Sequence, residues 1–162
     1  MSSFSHINDK NHPKMVNVSE KNITKRSATA QATMYLGTSI IQHFENDELT
    51  TKKGPVFQTA IIAGIQAVKK TSELIPMCHP LLISGVDIDI DIISTTRIRV
   101  LCTVSIEGKT GVEMEALTGA STCCLTIYDM CKALSHEQRI EEIKLLKKTG
   151  GKSDYHYGEK AH

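Results

Sequence analysis

Apolar and polar residues alternate along several stretches of this chain, and a period of two is typical of half-buried β-strands. Residues 23–36 carry alanine, methionine and leucine at every second position, and residues 84–93 and 96–106 do the same mainly with isoleucine and valine. Residues 139–148 predict a last strand and residues 15–19 a short first one. The turn residues Ser-Thr-Thr between the second and third stretches predict a hairpin, so that Asp91 lies opposite Arg99.

Two longer stretches repeat their apolar residues every three or four positions, which is the spacing of an amphipathic helix. The first covers residues 55–74, between a Gly54-Pro55 start and a stop at Pro76. The second covers residues 113–134, and residues 38–46 predict a short helix. Long strands mixed with two helices, without a regular βαβ rhythm, predict an α+β fold in which helices pack on one face of an antiparallel sheet.

Composition restricts where a charged function can lie. The 162 residues suit a single domain over 1–162, with a polar arm at 1–13 and a flexible tail at 153–162. A net charge of +1 gives no reason to expect nucleic acid or a membrane surface as a partner. The five cysteines are odd in number and include no CxxC pair, so we expect a reducing, cytoplasmic compartment. We also expect neither a leader peptide nor a membrane-spanning segment.

The second helix is uncharged from Ala116 to Leu134 except at Asp129 and Lys132. These two side chains are three positions apart and share one face of the helix. A surface ion pair is the simpler interpretation, and it would contribute little to stability. In an otherwise uncharged neighbourhood, a carboxylate and an ammonium are also candidates for a base and an acid, because burial and mutual attraction tune their pKa values. The pattern alone leaves both interpretations open.

Three further groups of residues could carry chemistry, and each also has an ordinary structural explanation. Cys78 and His79 lie between two prolines that stiffen a loop, but two adjacent ligands are weak support for a zinc site. Glu113 and Glu115 lie at a loop-to-helix transition, where acidic residues also favour a helix N-terminus. Cations that could hold a polyphosphate are Arg26, Lys53, Lys147, Lys148 and Lys152.

Four motifs occur in order along the chain: LIPMCHPL, KTGVEMEALT, LTIYDMCKA and KKTGGKS. In these motifs and their spacing the chain resembles the cyclic pyranopterin monophosphate synthase family, the molybdenum cofactor biosynthesis protein C. The segments SHIN and MVNVS are similar as well, so the resemblance covers residues 4–153. It implies a ferredoxin-like α+β fold and a homohexamer, a trimer of dimers with active sites at subunit interfaces.

The resemblance also implies a reaction, in which a lyase converts a cyclised dihydroguanosine triphosphate to cyclic pyranopterin monophosphate and pyrophosphate. A preceding radical enzyme makes that substrate from GTP. Proton transfers open and re-close the purine-derived ring, a hydroxyl attacks the α-phosphorus, and cations stabilise the leaving pyrophosphate. The resemblance implies no resident cofactor or metal, although Mg²⁺ can accompany the triphosphate, and no nucleic-acid or membrane partner.

The matching motifs imply a role for individual residues. Catalysis is implied for Asp129, Lys132 and Lys53. Substrate binding is implied for Met77, Cys78, His79, Glu113, Met114 and Glu115, and triphosphate binding or pocket lining for Arg26, Lys148 and Lys152. The two charges of the second helix would then face a pocket, while the rest of the helix is buried against its neighbours.

Three positions depart from the family pattern. Asn17 stands where aspartate is usual, Pro55 where aspartate or asparagine is usual, and Asp154 where glycine follows GGKS. Two rival functions stay open on sequence pattern. One is a non-catalytic oligomeric regulator that binds a nucleotide and does not need Asp129. The other is a metal-binding protein built on Cys78 and His79.

Overall fold

The structure is a computed structural model that describes residue 10 and residues 12–159. In chain order its elements are β1 (Thr24–Tyr35), α1 (Thr38–Ile41), β2 (Thr50–Thr51), β3 (Gly54–Pro55), α2 (Val56–Lys69), α3 (Thr71–Leu74), β4 (Gly85–Ile92), β5 (Arg97–Gly108), α4 (Glu113–Cys131), β6 (Arg139–Thr149) and β7 (Tyr155–His156). The predicted arm at 1–13 lies mostly outside the described residues, as does the end of the predicted tail. None of these helices has the length and apolar content needed to cross a membrane.

Five strands form one antiparallel sheet in the order β4-β5-β1-β6-β7, and β2 and β3 form a separate small hairpin. The long elements follow one another as β1-α2-β4-β5-α4-β6. With this strand order, the two helical crossovers place α2 and α4 on the same face of the sheet. The predicted α+β fold is confirmed, and its topology is consistent with a ferredoxin-like arrangement.

Small side chains on β1 allow α4 to approach the sheet closely. Ala28, Ala30 and Ala32 are buried and alternate with partly exposed polar residues, which is the pattern of a strand with one covered face. α4 packs across β1, β5 and β6 and buries Ala120 and Ile127 on that side. Both helices and the central strand therefore share one continuous apolar core.

The helices α2 and α4 meet at a pair of glycines. A Cβ at Gly64 would overlap Sγ of Cys123, and a Cβ at Gly119 would lie 2.7 Å from both Sγ of Cys102 and Cγ2 of Val68. A Cβ at Gly64 would also lie 3.1 Å from the backbone oxygen of Gly119. Only glycine leaves room for two backbones this close in a densely packed interior.

All five cysteines are unpaired, and four of them are buried in the core: Cys102, Cys123, Cys124 and Cys131. Burial raises the pKa to about 12 for Cys102 and Cys124 and to about 11 for Cys131. These thiols therefore stay protonated and behave as small apolar side chains.

Most of the predicted strands and helices are present with small changes at their ends. The predicted hairpin between β4 and β5 is confirmed, and Nη2 of Arg99 lies 2.7 Å from Oδ2 of Asp91. The first long helix ends at Lys69 and is followed by the short α3. In the predicted tail, β7 pairs with β6, and the backbone N–H of Tyr157 donates to the carbonyl oxygen of Leu146 at 2.7 Å.

Three predictions about element boundaries are wrong. The short helix predicted at residues 38–46 ends at Ile41, because the chain then enters the turn that pairs Glu45 with Glu48. Residues 15–19 form no strand, because their valines face a cavity and their backbone pairs with no strand of the sheet. The second long helix ends at Cys131, where the chain turns towards β6. Leu134 continues the apolar spacing beyond the helix, and its side chain is largely exposed.

We predict that Gly64→Ala destabilises the protein, because the added methyl group overpacks the contact between α2 and α4 at a cost of about 1–3 kcal/mol. This loss outweighs the gain of about 1 kcal/mol in helix propensity. The urea midpoint of unfolding measures the effect. Gln66→Ala, at an exposed position of the same helix, is the matched control. Equal midpoints for the two variants would show that α2 and α4 do not need their glycine contact.

Candidate active site

The N-terminal end of α4 borders a cavity of about 320 Å³. Its walls come from the extended segment before β1, the loop before β4 and the loop before α4. Six of the predicted substrate-binding residues line it: Met77, Cys78, His79, Glu113, Met114 and Glu115. These side chains come from distant parts of the sequence, so it is the fold that brings them together.

His79 is tied to the segment that the sequence predicted as a short strand. Its Nε2 lies 2.8 Å from the carbonyl oxygen of Val16. Because a carbonyl only accepts, Nε2 is the donor in this bond, and Nδ1 is the nitrogen that can accept from a ligand. Nζ of Lys109 donates to the carbonyl oxygen of Ser19 and holds the same segment at a second point. The segment thereby forms one wall of the cavity.

Glu115 gives the cavity a buried carboxyl group, with only 4% of the residue exposed. Burial raises the pKa of this carboxyl, and the nearby charge of Glu113 raises it further. Burial also raises the pKa of the Cys78 thiol, with a second contribution from Glu115. A cavity that favours neutral groups able to hydrogen-bond suits a ring with a polar edge better than it suits an anion.

A second cavity of about 190 Å³ adjoins the first and shares part of its lining: Lys21, Thr110, Gly111 and Glu113. The other predicted binding residues line this second cavity: Arg26, Lys148 and Lys152. Four cations and one carboxylate, that of Glu113, leave an excess of three positive charges. Nζ of Lys148 lies 3.1 Å from Oε1 of Glu113, so one cation is already paired. Such an excess is what a polyphosphate requires.

The turn between β6 and β7 brings Lys152 to the second cavity. Gly150 has a φ of 80°, and a Cβ there would overlap the carbonyl oxygen of Lys25, so the position requires glycine. Oγ1 of Thr24 donates to the carbonyl oxygen of Gly150 at 2.8 Å. The N–H of Gly150 donates to Oδ1 of Asp154 at 3.0 Å. The aspartate that departs from the family pattern therefore closes this turn.

The predicted catalytic residues meet at the C-terminal end of α4. Nζ of Lys53 lies 2.6 Å from Oδ2 of Asp129, and Nζ of Lys132 lies 2.7 Å from Oδ1. Nζ of Lys53 also donates to the backbone oxygen of Asp129 at 3.0 Å. The hydrogen bonds from Lys132 and Lys53 lower the pKa of Asp129 to about 2. The carboxylate is therefore ionised, and each of its oxygens faces one lysine.

These charges are not buried within a single chain, so the predicted helix covered on most sides would need a second subunit for part of its covering. The side chain of Asp129 is 53% exposed. On the outer face of α4, Leu125 is 60% exposed. This face carries serine and threonine but no charge. Hydroxyl groups on it bond to the helix itself, as Oγ of Ser121 does to the carbonyl oxygen of Leu117 at 2.7 Å. A single chain therefore leaves this face of α4 exposed.

The two groups of residues lie at opposite ends of α4. Glu115 and Asp129 are fourteen positions apart on the helix, which corresponds to about 21 Å. The structure brings the predicted catalytic residues together and the predicted binding residues together, but it does not join the two sets in one chain. A groove of about 630 Å³ lies beside Lys53 and is bordered by Leu49 and Met130.

Sequence pattern missed residues that line both cavities. Lys21 borders both, but a single lysine in a polar stretch carries no periodic or motif signal. Gly111 also borders both, and a Cβ there would overlap the carboxylate of Glu113. The KTG sequence before α4 was a signal for this position, because a glycine before a helix often marks a close approach.

Comparisons with known proteins place the chain in a family. The model of the MoaC family matches residues 15–151. A cyclic pyranopterin monophosphate synthase of Campylobacter jejuni subsp. doylei is 53% identical, and the match covers 93% of this chain and 95% of that protein. A cyclic pyranopterin monophosphate synthase of Xanthomonas campestris pv. campestris is 49% identical, and the match covers 93% of this chain and 92% of that protein. The molybdenum cofactor biosynthesis protein 1 of Dictyostelium discoideum is 50% identical over 93% of this chain, which spans 26% of that protein. The chain therefore belongs to the MoaC family.

Proposed function

We propose that this chain is a cyclic pyranopterin monophosphate synthase, the activity for which its relatives from Campylobacter jejuni and Xanthomonas campestris are named. It is then a lyase of molybdenum cofactor biosynthesis that acts on a cyclised dihydroguanosine triphosphate. The observation that carries the proposal is the cationic cavity of Arg26, Lys148 and Lys152, which adjoins the cavity of His79 and Glu115. A substrate that joins a triphosphate to a purine-derived ring needs two cavities of these kinds side by side.

Closure of the cyclic phosphate needs the cations. A sugar hydroxyl oxygen forms a bond to the α-phosphorus, and the bond from that phosphorus to the bridging oxygen breaks. The hydroxyl proton passes to a base, and pyrophosphate leaves with the bonding electrons. Fixed cations stabilise the charge that develops on the leaving group. Arg26, Lys148 and Lys152 are placed to bind those phosphates.

We assign the proton transfers to Asp129, Lys53 and Lys132. The carboxylate accepts a proton and the two ammonium groups donate one, and each ammonium group lies within hydrogen-bond distance of the carboxylate. The lysine hydrogen bonds keep the pKa of Asp129 low. When a substrate oxygen takes one of those bonds away, the pKa of Asp129 rises and the carboxylate becomes a stronger base.

One chain does not complete this site, and we infer that a second copy does. The two residue sets are about 21 Å apart along α4, which is beyond the reach of any side chain. Between Glu115 and Asp129 the helix carries no charge, and Leu125 on its outer face is 60% exposed. An exposed uncharged face is typical of a surface that a partner covers. In the proposed homohexamer, a trimer of dimers, catalytic residues of one subunit face binding residues of another.

We propose that the enzyme has no resident cofactor or metal and that Mg²⁺, where present, enters with the triphosphate. Within the described residues, no group of three or more His, Cys, Asp or Glu side chains is arranged to hold a metal ion. Lysine and arginine supply positive charge in the second cavity. The unpaired cysteines support a reducing compartment, and we propose the cytoplasm.

Asp129→Asn keeps the shape of the side chain and removes its charge. We expect the wild-type chain to release pyrophosphate and the pterin product from the cyclised dihydroguanosine triphosphate. We expect kcat of the variant to fall by about 10²–10⁴-fold, since it has lost its proton acceptor. Both products are followed, and thermal unfolding shows that the variant is folded.

Asp91→Asn is the matched control, because it breaks an exposed carboxylate–cation pair between β4 and β5 that includes none of the predicted site residues. Equal turnover by wild type and Asp129→Asn would keep the synthase activity and remove Asp129 from the mechanism. No turnover by a folded wild-type chain would favour the nucleotide-binding regulator.

A shared site predicts complementation between two inactive variants. Asp129→Asn damages the catalytic set and His79→Ala damages the binding set. When the two chains are refolded together in equal amounts, about one quarter of the sites receive an intact half from each partner. We expect turnover to recover to roughly that fraction. A mixture of Asp129→Asn with Lys132→Ala, both in one set, is the control and should not recover. No recovery in the first mixture would contradict a site shared between subunits.

Removal of divalent metal tests the rival based on Cys78 and His79. We expect the purified chain to contain well under one metal ion per subunit by elemental analysis. We also expect turnover to stay within about twofold after dialysis against EDTA, since no set of residues in the described part of the chain is arranged to hold a resident ion. A stoichiometric metal that is lost in Cys78→Ser would support the metal-binding protein instead.

A further inference from the structure

A tight turn fixes Glu48 directly before β2. Asn46 and Asp47 have φ values of 50° and 60°, a region that asparagine and aspartate tolerate better than most residues. The N–H of Glu45 donates to the carbonyl oxygen of Glu48 at 2.8 Å, and the N–H of Glu48 donates back at 3.1 Å. Two central residues with positive φ make the two-residue turn that reverses a chain most tightly. Glu48 therefore leaves the turn in a defined direction.

The carboxylate of Glu48 accepts hydrogen bonds from three backbone N–H groups. Oε1 accepts from Leu49 at 2.8 Å and from Phe57 at 2.9 Å, and Oε2 accepts from Gln58 at 3.1 Å. Phe57 and Gln58 are the second and third residues of α2, whose N-terminal N–H groups have no partner within the helix. Pro55 occupies the N-cap position and has no side-chain acceptor. A glutamate from outside the helix therefore caps the N-terminus of α2.

The same carboxylate closes the base of the hairpin that carries Lys53. Glu48 and Leu49 lead into β2, and Phe57 and Gln58 follow β3 in the first turn of α2, so the hydrogen bonds from Phe57 and Gln58 join the two arms of the hairpin. The N–H of Val56 adds a bond to the carbonyl oxygen of Leu49 at 2.9 Å. Lys53 lies at the tip, where Gly54 has a φ of 107°. The direction of this short hairpin decides where Nζ of Lys53 can reach.

Glu48 also lies near the end of α4. Burial, and secondarily the charge of Glu48, raises the pKa of Cys131 to about 11. Cys131 is the last residue of α4, two positions after Asp129. Glu48 is therefore located between the start of α2, the base of the hairpin and the helix end that presents the carboxylate.

We propose that Glu48 is a positioning residue that, through the backbone of the 49–57 hairpin, sets Nζ of Lys53 against the carboxylate of Asp129. The expected effect of Glu48 on turnover rests on the proposed synthase function. The expected effect of Glu48 on the contact between Lys53 and Asp129 does not depend on that function. Glu48 touches no reacting atom, so it acts only through Lys53.

The test separates this positioning from the helix cap. Glu48→Ala removes both the cap and the tether between the hairpin arms. Adding Pro55→Asp returns an acceptor to the N-cap position, where it can bond Phe57 and Gln58, but this acceptor lies on the same arm as α2 and does not link it back to residue 48. The double variant Glu48→Ala/Pro55→Asp is therefore expected to unfold at the wild-type temperature while lacking the tether. Pro55→Asp alone and Glu45→Ala, at an exposed carboxylate on the same turn, are the controls.

The first readout is the pKa of the Asp129 carboxyl group, measured by NMR titration of protein labelled with ¹³C-aspartate. Lys53→Met must raise this pKa, because it removes a hydrogen bond to the ionised form. We expect Glu48→Ala/Pro55→Asp to raise it in the same direction, and both controls to leave it at the wild-type value. An unchanged pKa in the double variant would overturn the proposal.

The second readout is turnover. We expect kcat of Glu48→Ala/Pro55→Asp to fall by about 10-fold to 100-fold with little change in KM, since a displaced catalytic group costs rate more than binding. In the Lys53→Met background the same two changes should cause no further loss. An equal loss in both backgrounds would overturn a role through Lys53. If the wild-type chain shows no turnover while the NMR shift occurs, the proposed function fails and the positioning stands.

Discussion

The close approach of α4 to β1 and α2 is the constraint on which the rest of the structure depends. Alanines on β1 and the glycines Gly64 and Gly119 remove the volume that would otherwise separate the backbones. At that distance α4 cannot slide or rotate without overlap in a densely packed core. The two ends of α4 are therefore held in fixed positions, and one group of site residues lies at each end.

The sequence predicted the fold correctly where one face of an element is buried, because such burial produces a periodic pattern of apolar residues. β1, β4 and β5 each have one covered face, so their apolar residues alternate, and the hairpin register that pairs Asp91 with Arg99 followed from the turn. The segment 15–19 shows the limit of that reasoning. Its two valines have the period of a strand, but pairing needs a sheet edge beside the segment, which is a property of the folded chain.

Some features of the candidate site could also be predicted from the sequence, and others could not. Motifs that resemble a known family predicted both residue sets, and the structure groups each set around one end of α4. The pattern left open whether Asp129 is exposed or buried, because the sequence does not show whether another element covers this face of α4. Lys21 and Glu48 carry no local pattern at all. Their importance comes from cavities and backbone donors that distant segments supply.

The distance between the two ends of α4 has a consequence for which changes in chain length the protein can accept. One residue inserted into the helix lengthens it by about 1.5 Å and rotates everything beyond by about 100°. The carboxylate at one end would then point away from the lysine on the hairpin, while the cavity at the other end stayed intact. α4 therefore fixes both the distance and the relative orientation of its two ends, so an insertion is better accepted in the turn between β4 and β5 than in this helix.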